Sequence, residues 1–127
     1  MFKKIWSTDH APAAIGPYSQ AVEVEGFMYC SGQIPLDPKT GQVVAGGVKE
    51  QAEQVMKNIG AVLKAASLDY SHIIKTTIFL TSMNDFATVN EVYGAYFQDA
   101  PPARSTVAVA GLPKGVSVEI EVLAKRP

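Results

Sequence analysis

Apolar residues at Val48, Ala52, Val55, Met56, Ile59, Val62, Leu63 and Ala66 recur three and four positions apart, which places them on one stripe of a single helix. Lys49, Glu50, Glu53, Gln54, Lys57 and Lys64 take the other side and meet water. A helix of this length with one apolar face has to lie on a flat apolar surface, so the rest of the chain must supply a sheet.

The remaining segments read as that sheet and one more helix. Residues 22–30 alternate and then run apolar around Glu25 and Gly26, predicting a two-residue hairpin with Gly26 at positive φ. Residues 34–44 carry Pro35, Pro38 and Gly41 and predict a turn-rich surface excursion outside the sheet. Residues 73–80 are β-branched and nearly continuous, the composition of a central strand covered on both faces. Ser82 and Asp85 suit a helix start, and Phe86, Val89, Tyr93 and Phe97 follow at helical spacing until Pro101 and Pro102 end the run. Residues 104–109 and 116–124 read as two closing strands, the second with Val116, Val118, Ile120 and Val122 on one face and Ser117, Glu119, Glu121 and Leu123 on the other. The order β-β-α-β-α-β-β predicts an α+β fold with both helices on one face of one sheet. At 127 residues, 47% of them hydrophobic, residues 1–127 form a single domain. Helices on one face leave the other face to be covered, which predicts a homo-oligomer.

Lys and Arg number 11 against 12 Asp and Glu, and the net charge of −1 provides no field for a polyanion, so nucleic-acid binding is disfavoured. The amino terminus lacks the apolar core of a signal peptide and no run reaches membrane-spanning length, so a cytoplasmic location is expected. Cys30 is the only cysteine and falls in an apolar strand pattern, predicting a buried, inert thiol.

Phosphate-loop, dinucleotide-binding and zinc-protease signatures are absent from the sequence, and His10 and His72 lack ligand spacing; no cofactor and no metal are expected. Arg104 opens a strand directly after Pro101, Pro102 and Ala103, where a rigid turn can aim a guanidinium at a carboxylate. If the last two strands form a hairpin pairing Val109 with Val116, Thr106 faces Glu119, Arg104 faces Glu121, and all four share one face. The same pattern also describes a surface cross-strand ion pair, worth at most about 1 kcal/mol. Residues 16–20 and 31–35 place hydroxyl and amide donors beside glycines, suiting either plain turns or a small polar ligand.

The stretches HAPAAIGPYSQA (10–21), SGQIP (31–35), VNEVY (89–93), PPARSTVAVAGLPKG (101–115) and VEIEVLA (118–124) occur in one order along the chain. In these motifs, and in the long helix between them, the sequence resembles the Rid family, also called YjgF, from end to end. The resemblance implies a single Rid-type deaminase domain of chorismate-mutase-like fold, assembled as a homotrimer with clefts between neighbouring subunits. It implies hydrolysis of 2-aminoacrylate, 2-aminocrotonate or their imine tautomers to 2-keto acids and ammonia, the work of a 2-iminobutanoate/2-iminopropanoate deaminase. Such substrates arise from pyridoxal-phosphate dehydratases, a functional link, and the deaminase itself needs no cofactor.

Carried over by position, Arg104 is the carboxylate clamp and Glu119 the acid/base, both catalytic. Tyr18, Gly32, Asn90 and Thr106 bind substrate, Gly32 and Thr106 through their backbone; Gln20, Ser31 and Glu121 are secondary candidates. Many relatives carry cysteine where this chain has Thr106, and Cys30 matches no family thiol, so thiol chemistry is not expected. A non-catalytic regulator or holdase using the same cleft is the alternative reading, and a ribonuclease ranks last.

Overall fold

A computed structural model describes residues 2–127. Along the chain run β1 (Lys4–Trp6), β2 (Ala21–Val24), β3 (Phe27–Gln33), α1 (Val48–Ala65), β4 (Ile73–Leu80), α2 (Phe86–Gly94), β5 (Ala103–Ala108) and β6 (Val118–Lys125). They form one six-stranded sheet in the order β1-β2-β3-β6-β4-β5, antiparallel except for the parallel pair β4 and β5. Both helices cover one face, as the patterning predicts. Among the described residues no helix is long and apolar enough to cross a membrane.

The apolar stripe of α1 is the floor of the core. Ala52, Val55, Met56, Ile59, Val62 and Leu63 are buried against β3, β6 and α2. The helix starts where Glu50 Oε1 accepts the Gly47 N–H at 2.9 Å, satisfying a donor that the first turn leaves open. Between β2 and β3, both Glu25 and Gly26 take positive φ, 53° and 80°, which gives the mirror-image turn that matches strand twist. Residues 34–44 form the expected excursion, closed by a single bridge between Leu36 and Val43. Ser82 caps a 3₁₀ turn, Met83–Asp85, by accepting the Asn84 N–H at 3.1 Å, and α2 begins just beyond it. Phe97 lies past the end of α2 yet packs on Tyr93, ring centroids 4.7 Å apart.

Three expectations are corrected. Residues 4–6 add an edge strand, too short to carry a periodic signal. Within one chain β4 is covered on one face: Ile73, Thr76, Ile78 and Leu80 are buried beneath the helices, while Ile74 is 43% exposed. Its neighbours β6 and β5 lie beside it in the sheet and shield its edges rather than its second face. Finally, β5 and β6 do not form a hairpin, because β4 lies between them. α2 acts as a crossover that returns the chain parallel to β4, putting β5 on its free side. Residues 110–117, including the 3₁₀ turn Pro113–Gly115, then carry the chain past the end of β4 to its other edge. Hydrogen bonds from Val109 N–H to Leu80 O (2.8 Å) and from Thr81 N–H to Ser117 O (3.2 Å) hold this crossing point.

Candidate active site

Period-two alternation in β6 sends Val118, Ile120, Val122 and Ala124 beneath the helices, and Glu119 and Glu121 to the helix-free face. The pairing of β3 with β6 shifts register between Cys30 and Gln33, and this irregularity brings Gly32 against Glu119. A Cβ built on Gly32 would stand 2.9 Å from Glu119 Cδ and 3.1 Å from its Cγ, so a side chain here would displace the Glu119 carboxylate. The carboxylate faces a cleft of about 600 Å³, with Tyr18, Ile15 and Pro12 on one side and Lys114 on another. Burial pushes the Glu119 carboxyl above its ordinary pKa, and the like charge of Glu121 adds to the shift.

Arg104 lies elsewhere. The register Arg104↔Thr76↔Val122 puts it on the helix face, at the β5 edge of the sheet. Its Nη1 donates to Asn90 Oδ1 at 2.6 Å, and its guanidinium carbon lies 5.1 and 5.6 Å from the ring centres of Tyr93 and Phe86. The hydroxyls of Tyr93 and buried Thr76 hydrogen-bond at 2.8 Å, which fixes the ring beneath the guanidinium. Thr106, two residues along the same face, has its Oγ1 buried with no partner among the described residues. Among the described residues the ion pair formed by an arginine is that of Arg126 with Glu23, and Arg104 meets no carboxylate.

The predicted grouping of Arg104, Thr106, Glu119 and Glu121 on one face is therefore corrected. Glu121 pairs across to Thr77 and, one strand further, Ser105, on the face opposite Arg104. Tyr18, Gly32 and Glu119 line one cleft; Asn90 and Arg104 meet at the far edge, and Thr106 stands beside them on β5. Both rejected ideas, the shared face and the surface ion pair, assumed the β5–β6 hairpin that β4 interrupts.

Of the secondary candidates, Gln20 and Ser31 line the Glu119 cleft. Ser31 Oγ donates to Ser19 O at 2.6 Å. Asn58 was not singled out by sequence reading, although an amide beside the apolar stripe of α1 was a signal. It is 1% exposed, and its Nδ2 donates to Ile34 O (3.3 Å) and Leu36 O (3.0 Å), two further residues of the cleft wall. Cys30 points into the core, where burial pushes its thiol up to about 12, as an inert cysteine requires. His72 Nδ1 accepts the Asp69 N–H at 3.0 Å, a local bond that closes a turn.

A mixed sheet with helices on one face, a guanidinium at its edge and a desolvated carboxylate in a cleft on the other face places the protein in the class of small α+β proteins of Rid type. The chain belongs to that family: the sequence profile described as Endoribonuclease L-PSP matches residues 8–126. A relative from Mus musculus, named 2-iminobutanoate/2-iminopropanoate deaminase, is 56% identical over 98% of this chain and 92% of its own length. The crystal structure of a Thermotoga maritima protein superposes with a TM-score of 0.95 at 51% identity, covering 98% of each chain. A Yersinia pestis protein described as of the conserved Rid protein family gives a TM-score of 0.93 at 50% identity, over 98% of this chain and 99% of that one.

Proposed function

We propose that this chain, as one deaminase domain, hydrolyses 2-aminoacrylate, 2-aminocrotonate and their imine tautomers to 2-keto acids and ammonia, and that it does so as a homotrimer. One observation carries the reading: Arg104 and Glu119 sit on opposite faces of the same sheet, so within one chain a guanidinium and a desolvated carboxyl each lack the other. A neighbouring copy whose β5 edge meets the Glu119 cleft joins them. Arg104, already braced by Asn90 and the Tyr93 ring, then meets its missing carboxylate on the substrate.

An imine carbon is electrophilic before any help, so the site has to orient it and move protons. Protonated Glu119 delivers a proton to the enamine carbon, giving the imine. As the carboxylate it takes a proton from water adding to the C=N carbon, passes that proton to nitrogen, and accepts the hydroxyl proton as the carbinolamine breaks to keto acid and ammonia, which restores the acid. A carboxyl whose pKa burial has raised suits both directions, and general acid/base help of this kind is worth roughly 10² to 10⁴ in rate. No covalent nucleophile enters, which agrees with Thr106 where many relatives carry cysteine.

The test is a coupled assay with a pyridoxal-phosphate threonine or serine dehydratase, following enamine loss and ammonia release with and without this protein. Acceleration that scales with the added chain is the expected result. Saturable keto-acid binding without acceleration would replace the enzyme by a metabolite-binding regulator.

A further inference from the structure

Buried polar side chains are costly unless paired, so where a chain keeps them is informative. Among the described residues the buried polar set is Gln20, Gln33, Asn58 and Thr76. Asn58 ties the 34–36 wall of the Glu119 cleft to α1, and Thr76 fixes the Tyr93 ring under Arg104. Gln20 has the largest set of bonds. It is 4% exposed, and its Nε2 donors are shared among Pro12 O at 2.8 Å, Thr8 O at 3.1 Å and Ala11 O at 3.4 Å. Its Oε1 accepts the Thr8 N–H at 2.7 Å. Its main-chain carbonyl accepts the Ser31 N–H at 2.9 Å, one residue from Gly32.

We propose that Gln20 is a positioning residue of the deaminase site: its amide locks residues 8–12 onto the sheet beside Gly32, so that the following segment, Pro12 to Tyr18, forms a fixed wall over Glu119. Residues 8–18 contain no strand or helix of their own, and the His10 N–H donates to Thr8 Oγ1 at 3.2 Å, a local turn bond that anchors nothing to the sheet. Without the Gln20 amide residues 8–12 keep their chain connections to β1 and β2 and the buried methyl of Ala11, but lose the hydrogen bonds that fix the arm between them. The wall matters because Pro12, Ala13, Ile15 and Tyr18 line the cleft that the Glu119 carboxylate faces. Charged and titratable groups facing Glu119 are Glu121 on its own strand, Lys114 from the turn before β6 and Tyr18 from the arm. Loosening the arm leaves Glu121 and Lys114 in place and hydrates the carboxylate.

This role rests on the deaminase reading above. The decisive variant is Gln20→Met, close in volume and unable to bond the arm, compared with wild type by kinetics, pH profile and amide hydrogen exchange. The expected result is faster exchange at residues 8–13 with core amides such as Ile120 unchanged, and kcat lower by roughly ten- to hundred-fold. KM should rise by less than kcat falls, because Arg104 still holds the substrate carboxylate while Tyr18 on the arm loses its fixed place. The kinetic pKa assigned to Glu119 should fall toward the ordinary carboxylate range, a shift that a general loss of stability would not produce. Accelerated exchange in the arm with kcat and pH profile equal to wild type would overturn the role of Gln20 and leave the deaminase reading intact. A wild-type chain without turnover would overturn both. Should Gln20→Met not fold, Thr8→Pro deletes the partner N–H at a half-buried site outside the core and is read in the same way: lowered kcat with a lowered pKa supports the role, and unchanged values overturn it.

Discussion

At the scale of single residues, the proposed mechanism divides cleanly between Arg104 and Glu119. Guanidinium meets both oxygens of a carboxylate with parallel bonds, and lysine has charge without that plane. Arg104→Ala should therefore abolish pyruvate or 2-ketobutyrate binding by calorimetry, and Arg104→Lys should recover little. Loss of one charge-assisted bond costs about 1.5 to 3 kcal/mol, or roughly ten- to more than hundred-fold in affinity. Near-normal turnover in Arg104→Lys would show that charge alone suffices. Glu119 has the opposite energetics, because its folded pKa is raised above the unfolded value of 4.5. Its stabilising contribution is complete below that unfolded value and is lost as pH rises through the folded one. Glu119→Gln should thus lose most turnover while unfolding at higher urea than wild type at neutral pH, and the two midpoints should converge at about pH 4. A variant less stable than wild type at neutral pH would mean that the carboxylate is held by favourable bonds instead of being desolvated.

At the scale of elements, the site depends on pieces that periodicity does not report. The α1 stripe was legible because a 3.6-residue period names its own buried face. Asn58 was not, since its value lies in carbonyls at Ile34 and Leu36, more than twenty positions away in sequence. Asn58→Ala should leave those carbonyls without their partner at a cost of about 1 to 3 kcal/mol, visible as a melting temperature lower by several degrees. An unchanged melt would mean that water replaces the amide. The identity of β5 and β6 as strands was equally legible, and the alternation within β6 correctly separated Glu119 from Ile120. Their pairing was not legible: a loop of this length serves a hairpin as readily as a passage around the end of a third strand. Only the free edge of β4 decided between them.

At the scale of the whole molecule, the exposed Tyr29 and Val107 lie on the helix-free face, and the two half-sites lie on different faces of one sheet. In the proposed trimer light scattering should return three times the chain mass of 13.6 kDa at micromolar concentration, and a monomer mass would remove the composite cleft. Mixing offers a sharper test. Arg104→Ala and Glu119→Gln, each inactive alone, should regain about a quarter of wild-type sites when subunits exchange at random, because some clefts then receive both intact halves. No regain after verified exchange would place both groups in one chain's own site. The sequence by itself determined both helices, five of the six strands, the buried faces of α1 and β6 and the family, since these follow from local period and from motifs read in order. Tertiary structure alone decided that Arg104 and Glu119 face apart, because the face a residue takes relative to another strand depends on which strand lies between them. That is a long-range choice made by the competition for the edges of β4, and no local pattern encodes it.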